Sequence, residues 1–425
     1  MSTNIQKNQI TEGIIWRQLL LFFFPILLGT FFQQLYNTID SVIVGQFVGK
    51  EALAAVGGSS AQIVAFVVGF FTGLSSGASV TIAQFFGAKD SRSANKGLHT
   101  AYAIAAFGGL ILTVSGIILT PFLLEMMNTP ADIVADSAVY LRIYFAGIIF
   151  VLIYNMGSAI LRATGDSKRP LYYLIVCCII NIVLDVLFVI VFHMGVMGVA
   201  VATLIAQAVS AVLVTLKLMR SEGILKLSVK QIRFHGSILK MQLKLGLPTG
   251  FEAILFSITN IAIQSAVNTF GTDTTAAWSA YGKLDAIFWM VSTAFGIAIT
   301  TFVGQNYGAG KMDRVRKSTR VCLLMDFIVS AVLVVFLIAA RFLLFRLFTN
   351  DSHVIEIGCD MLVLITPWYI VYVFIEVIAG ALRGVGNVVV PVVITLLGVC
   401  VLRIAWLAAV LKISPTISAI ILSYP

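Results

Sequence analysis

Charge is scarce in this 425-residue chain: 11% of its residues are Asp, Glu, Lys or Arg, against roughly 25% in soluble domains. A soluble fold cannot clothe its surface with so few charges, which excludes a soluble enzyme, a coiled coil and a disordered, charge-rich tail. Proline is rare as well, at 9 residues. The five cysteines (Cys177, Cys178, Cys322, Cys359 and Cys400) lie in or beside apolar runs, with neither CxxC nor metal spacing. They read as small buried hydrophobes rather than a disulfide scaffold or a metal site. No GxxxxGK[ST] phosphate loop occurs, so an ion gradient is the expected energy source. Gly73-Leu74-Ser75-Ser76-Gly77 spells the GxSxG hydrolase pattern, but within an apolar helical run rather than on a strand-to-helix elbow. His99, His193, His235 and His353 all fall near span ends or in loops. With no buried base for a nucleophile, the chain does not read as an enzyme.

Apolar residues are abundant instead, at 59%, and the mean hydropathy is +1.01. Runs long enough to cross a bilayer, at about 20 residues each, fall near 14–42, 53–82, 98–121, 139–161, 171–193, 196–217, 241–269, 276–303, 319–344, 357–382 and 389–411. A twelfth starts near Ser414 and reaches Pro425 after about half a span, so the last helix is expected to be incomplete. The first run is too long for a signal-peptide core and has no small-residue cleavage site behind it, so it reads as the first span. The runs are continuous rather than alternating, which excludes a β-barrel. The fold class predicted is an all-α polytopic membrane protein of about twelve transmembrane helices.

Lys and Arg are distributed unevenly. Nineteen lie in or beside the loops after the even-numbered spans, including Lys89, Arg92, Arg162, Lys168, Arg169, Lys311, Arg314 and Arg383. The opposite loops carry five: Lys50, Arg142, Arg341, Arg346 and Lys412. The positive-inside rule then puts the even loops and the N-terminus, with Lys7 and Arg17, in the cytoplasm. The net charge of +9 is explained by this asymmetry rather than by nucleic-acid binding. Residues 220–240 are basic and lack a long apolar run, which predicts a cytoplasmic linker with an amphipathic surface helix. This divides the chain into an N-lobe (1–219), the linker (220–240) and a C-lobe (241–425).

The two lobes repeat one another. Gln84-Phe85-Phe86-Gly87-Ala88 recurs as Gln305-Asn306-Tyr307-Gly308-Ala309, Leu161-Arg162-Ala163-Thr164-Gly165 as Leu382-Arg383-Gly384-Val385-Gly386, and Pro170 as Pro391, all at an offset of 221. Pro25 and Pro248 match at 223. Six spans per half is an even number, so the repeats insert with the same orientation, a layout that favours a transporter with its path between the halves.

Ionisable groups inside spans cost at least about 2.5–3.5 kcal/mol each on insertion scales and often mark function. The candidates are Asp40, Asp185, Glu252, Lys283, Asp285, Asp326, Glu376 and Arg403. At 1.5 Å per residue, Asp40, Asp185, Asn181 (one turn below Asp185) and Thr203 reach a similar outer depth. Two carboxylates, an amide and a hydroxyl suit a sodium ion through oxygen, or shared protons. Glu252, Glu376 and Tyr372, one turn from Glu376, lie at inner to middle depth and read as a second carboxylate site or as the substrate's cation contact. Lys283 and Asp285 are two residues apart and do not face each other; Asp285 is a candidate for the cavity. Asp326, six residues past Arg320, reads as snorkelling or pairing locally, and Arg403 as a counter-charge without an assigned partner. Pro25, within span one, removes a helix hydrogen bond and predicts a kink. Gly69, Gly73 and Gly77 form a stripe for close helix packing.

The two six-helix halves, Gln84–Lys89 with Gln305–Gly310 and Leu161–Pro170 with Leu382–Pro391, together resemble the multidrug and toxic compound extrusion (MATE) family over essentially the whole chain. The resemblance implies an N-lobe ion site at Asp40, Asn181, Asp185 and Thr203, with Gln33, Tyr36 and Asn155 as polar neighbours. For one branch it implies acids in helices seven and ten, at Glu252 and Glu376. It implies a monomeric plasma-membrane antiporter in the lipid bilayer that exports organic, often cationic, drugs in exchange for H+ or Na+ by alternating access, with no cofactor beyond that ion. The other reading is a lipid-linked oligosaccharide flippase of the same superfamily, which needs basic residues for a pyrophosphate; Lys283 and Arg403 are the residues that favour it.

Overall fold

A computed structural model describes residues 9–413 and 416–423; Lys7 and Ser414 lie outside the described residues, as does the side chain of Lys412. Among those residues there is no strand. Eleven helices are long and apolar enough to cross a membrane, as the apolar runs predict. They are α1 (Ile15–Phe47), α2 (Ser59–Gly87), α3 (Ser91–Met126), α4 (Val134–Ala163), α5 (Lys168–Val191), α6 (Gly195–Met219), α7 (Gly236–Asn268), α8 (Thr272–Gly308), α9 (Met312–Arg346), α10 (Ser352–Gly384) and α11 (Val389–Val410). In place of a twelfth span the described residues hold a short helix, Ile417–Ile421, capped by the Thr416 hydroxyl on the Ala419 amide.

The repeat is written in the backbone. Lys89 (φ 57°) and Gly310 (φ 71°) both end the second helix of their half in the left-handed region, and Gly165 (φ 97°) and Gly386 (φ 90°) both reverse the chain after the fourth. These pairs keep the 221-residue offset, so equivalent turns have equivalent geometry. Glycine at 165, 310 and 386 carries no Cβ penalty there. The fifth helix of each half contains a π-helical stretch, Val186–Val191 in α5 and Leu396–Leu402 in α11. Asp185 immediately precedes the first, and Arg403 immediately follows the second.

Two compact units form, and they are not simply the two repeats. One contains residues 24–250, the other residues 9–23 and 251 onward. Each half's first helix therefore changes unit along its length, α1 after Phe23 and α7 after Gly250, within a few residues of Pro25 and Pro248. A proline removes one backbone hydrogen bond at each place. In the first unit the start of α7 packs closely on α2. A Cβ on Gly73 would meet the Gly250 amide nitrogen at 2.5 Å, and one on Gly77 the Gly246 nitrogen at 2.4 Å. Two of the stripe glycines thus serve backbone approach. Ser75 bonds the Phe71 carbonyl at 2.8 Å, one turn back on its own helix, which is helix chemistry and not a nucleophile's.

The linker differs from the expected amphipathic helix. It forms two short 3-10 turns, Gly223–Leu225 and Val229–Gln231, and is pinned to α3. The Ser228 amide donates to His99 Nε2 (3.0 Å), Asn95 Nδ2 donates to the Lys226 carbonyl (3.1 Å), and Leu227 is buried. Gln242 Nε2 extends the attachment by donating to the Gly97 carbonyl at 3.0 Å. Side-chain bonds to α3 satisfy backbone groups that a surface helix would have satisfied internally. In the second unit, basic residues of the α8–α9 turn hold the segment before α1. Arg314 donates to the carbonyls of Ile10 (3.0 Å) and Gly13 (2.6 Å), and Lys311 Nζ to that of Thr11 (3.0 Å).

Candidate functional site

Four polar residues predicted from depth come together in the first unit. Asp40, Asn181, Asp185 and Thr203 are 6%, 1%, 0% and 5% exposed, so water reaches none of them freely. Thr203 Oγ1 donates to Asp40 Oδ2 at 3.3 Å, and Asn181 Nδ2 donates to Thr203 Oγ1 at 3.5 Å. Asn181 and Asp185 project from one face of α5 because they are one turn apart.

The Asp40 and Asp185 carboxyls meet directly. Two ionised carboxylates offer only acceptors, so that contact becomes a hydrogen bond only when one of them carries a proton. Asp40 Oδ1, Asn181 Oδ1 and both Asp185 oxygens are buried without a hydrogen-bond donor. Among the described residues neither acid forms an ion pair with Lys or Arg. The site therefore holds unsatisfied oxygen and no compensating cation, an arrangement that favours taking up a proton or a hard cation. Tyr36, Tyr140 and Tyr144 adjoin it, the last two with stacked rings 6.2 Å apart. Tyr36 is buried beside Asp40, whereas Gln33 is exposed and Asn155 half-buried. The structure gives Gln33 and Asn155 no bond to the four.

In the second unit Glu376, Glu252 and Asp285 are partnered. Glu376 Oε1 lies 3.6 Å from Arg383 Nη1, with the two side chains 14% and 16% exposed. Tyr372 Oη donates to Glu376 Oε2 at 3.4 Å, as the one-turn spacing anticipates. Glu252 is half-buried within electrostatic reach of Arg383 and Glu376 and hydrogen-bonds Thr395. Gly296 of α8 seats the Glu376 carboxyl, because a Cβ there would meet Oε1 at 2.1 Å.

Asp285 has its own donors. Trp289 Nε1 (2.9 Å), Tyr281 Oη (3.4 Å) and Tyr369 Oη all donate to it. Phe288 stacks on Tyr369 at 4.0 Å, and Trp289 meets Tyr372 edge-on at 4.6 Å. Arg403, 6% exposed, lies in electrostatic reach of Asp285 and donates Nε to the Ser423 carbonyl at 3.2 Å. That supplies the counter-charge partner left open in the sequence. Lys283 is exposed, so it does not share the Asp285 environment.

Asp326 does not snorkel but does pair locally. It is fully buried, and it bonds Ser330 rather than Arg320. Tyr281, Asp285 and Trp289 are spaced by four, so their shared face was legible by spacing. The contributions of Tyr369 to Asp285 and of Gly296 to Glu376 come from other helices and had no local signal, whereas Arg383 lies two turns from Glu376 on α10 itself.

These observations agree with the comparisons to known proteins. The MatE family pattern matches the chain twice, over residues 25–187 and 248–407, starting at the two repeat-related prolines. The chain belongs to the MatE family. It is 31% identical, over 94% of its length and 89% of theirs, to the probable multidrug resistance protein YpnP of Bacillus subtilis. It is 30% identical to the probable multidrug resistance protein YoeA of the same organism, over 91% of its own length and 84% of that protein's. The probable multidrug resistance protein NorM of Thermotoga maritima is 27% identical over 94% of this chain and 86% of its own. Among solved structures, an outward-facing multidrug resistance MATE family transporter superposes with a TM-score of 0.92 at 21% identity, covering 100% of this chain and 94% of its own. A transporter of the same superfamily from Pyrococcus furiosus gives the same TM-score, identity and coverage. This MatE chain is accordingly a multi-pass membrane transporter and not an enzyme, with a two-repeat plan.

Proposed function

We propose that this MatE protein is an ion-coupled multidrug antiporter. It exports small organic compounds, often cationic, from the cytoplasm in exchange for H+ or Na+, as a monomer in the plasma membrane with its N-terminus inside. The names of its relatives support multidrug export. The observation that carries the coupling is the pair Asp40 and Asp185, buried together without a cation.

The energetics are of the right size. Swinging a two-state equilibrium from 1:99 to 99:1 takes about 5.5 kcal/mol of differential ion affinity. Neutralising two membrane-buried carboxylates removes a penalty of about 2.5–3.5 kcal/mol each on insertion scales, enough for the exchange. Ion bound at Asp40, Asn181, Asp185 and Thr203 stabilises one arrangement of the lobes and substrate stabilises the other. The two ligands need only prefer opposite states. Glu252, Glu376, Tyr372 and Asp285 belong to the substrate side of this scheme, with apolar burial and ring faces holding varied cations. The flippase reading loses its basic residues: Arg383 faces Glu376, Arg403 faces Asp285, and Lys283 is exposed.

The test is efflux of a fluorescent organic cation from proteoliposomes under an imposed proton gradient and, separately, a sodium gradient. Gradient-driven efflux is expected in the native protein and lost in Asp40→Asn and in Asp185→Asn, with the effective gradient naming the ion. Efflux that still follows the gradient in both variants would overturn the assignment.

A further inference from the structure

Asp326 takes no part in the chemistry above. It lies on α9 about 21 Å from the Met312 end and about 30 Å from the Arg346 end at 1.5 Å per residue, deep within the span. Cys322, Asp326 and Ser330 share one face of α9, and all three are fully buried. Cys322 Sγ approaches the Phe295 carbonyl of α8 at 4.0 Å. The next residue of α8, Gly296, is the seat of the Glu376 carboxyl. The Asp326 face of α9 therefore meets α8 beside the acid of α10, and Asp326 and Glu376 are in electrostatic reach of each other.

The partners of Asp326 are few. Ser330 Oγ donates to Oδ1 at 3.1 Å, and Oδ2 is buried with no hydrogen-bond partner among the described residues. The titratable groups that face it are Cys322 on its own helix and Glu376 on α10. Position 295–296 of α8 presents a phenylalanine and a glycine. The outer part of α10, which also packs on α9, keeps Glu356, Cys359 and Asp360 out of its reach. Arg383 serves Glu376 and Glu252 but not Asp326. Glu376 and Glu252 thus share one guanidinium, and Asp326 does not reach it. An ionised carboxylate there is buried from water, has no cation and has a donor on Oδ1 alone, and a bound proton removes that cost.

We propose that Asp326 is a proton-binding site of the C-terminal half, separate from the Asp40 and Asp185 pair. It is loaded when Glu376 is seated against Gly296, because the adjacent negative charge favours the neutral acid. It releases its proton to water, as carboxylate plus H+, when that charge is withdrawn or the three helices part. The inference does not rest on ion coupling at the N-terminal site and is tested with that site neutralised.

The experiment is pH-dependent difference infrared spectroscopy on the full chain carrying Asp40→Asn and Asp185→Asn. The expected result is a protonated-carboxyl carbonyl band that is lost as the pH is raised, is missing after Asp326→Asn, and disappears at lower pH after Glu376→Gln. A spectrum that Asp326→Asn leaves unchanged, or an Asp326 band that persists at every pH where the protein stays folded, would overturn the proposal. Should Asp326→Asn fail to fold, peptide mapping after dicyclohexylcarbodiimide treatment of the native chain decides. Adducts at Asp326 that decline with rising pH support the site, and absent or pH-independent labelling refutes it.

Discussion

The two halves share a backbone plan and bury their acids by opposite means. In the N-terminal half, Asp40 and Asp185 face each other with an amide and a hydroxyl and no cation. In the C-terminal half Glu376 pairs with Arg383, and Asp285 collects donors from Tyr281, Trp289 and Tyr369 with Arg403 nearby. The repeat makes the contrast sharp: subtracting 221 from Glu376 and Arg383 gives Asn155 and Arg162. The arginine is kept in both halves, while its acid is present in one and replaced by an amide in the other. Partnered acids are already neutralised within the protein, so they respond weakly to an external ion. The uncompensated pair has nothing but an external ion to neutralise it. One scaffold thus leaves the Asp40 and Asp185 pair without a cation in one half and gives Glu376 and Asp285 charged or hydrogen-bonding partners in the other.

The largest effect expected from breaking this contrast is functional. Removing either N-terminal carboxyl should erase gradient-driven efflux, a loss of roughly 5–150-fold if the coupling free energy is of ordinary size, while ungated exchange of substrate persists. Next, Arg383→Gln strands Glu376 and Glu252, and losing one partner of a buried pair costs about 3–5 kcal/mol. Thermal unfolding in detergent should show that drop, its partial rescue by Glu376→Gln, and a much smaller effect of Arg162→Gln, which has no acid to strand. An equal loss for the two arginines would dissolve the comparison. Tyr369→Phe removes a donor to Asp285, and a hydrogen bond to a charged group is worth about 1.5–3 kcal/mol. The same melting assay should register it, with ion coupling unchanged.

The smallest effect concerns helix starts. Asp90 caps α3 by accepting from the Ser93 amide at 3.0 Å, and its repeat counterpart Lys311 opens α9 with no side-chain cap. The Ser93 hydrogen bonds hold the Asp90 carboxyl below the usual carboxylate range. A group whose folded value is depressed contributes stability above its unfolded value, near 3.9 for Asp, and loses it as pH falls through the folded value. Asp90→Ala should therefore cost about 1 kcal/mol near neutral pH, with the difference fading below about pH 4. Lys311→Ala should show no such acid dependence, and unfolding titrations of both variants check the pair.

Much of this was readable before any coordinates. Spacing put Asn181 and Asp185 on one face of a helix, and depth brought Asp40 and Thr203 to their level. The one-turn interval between Tyr372 and Glu376 appears as a hydrogen bond. Where reading stopped, the decisive neighbour came from another helix. The sequence leaves Asp326 to snorkel or to pair locally, and only the packing shows that it is fully buried, with Ser330 as its local partner and Glu376 of α10 in electrostatic reach. Residues 220–240 looked like a surface helix until His99 and Asn95 claimed their backbone groups.

The sequence by itself determined the solvent, the number of long spans, the twofold repeat and the small set of groups able to carry charge through the membrane. These follow from hydropathy and periodicity, which act along the chain and do not depend on packing. Only the tertiary structure decided which acids are compensated. It also showed that α1 and α7 each change unit near a proline, and that Gly296 is a carboxylate's seat. Where a charge's partner lies on another helix, it is chosen by which helix faces meet, and a separation such as the 163 residues from Asp40 to Thr203 leaves no periodic trace of that choice.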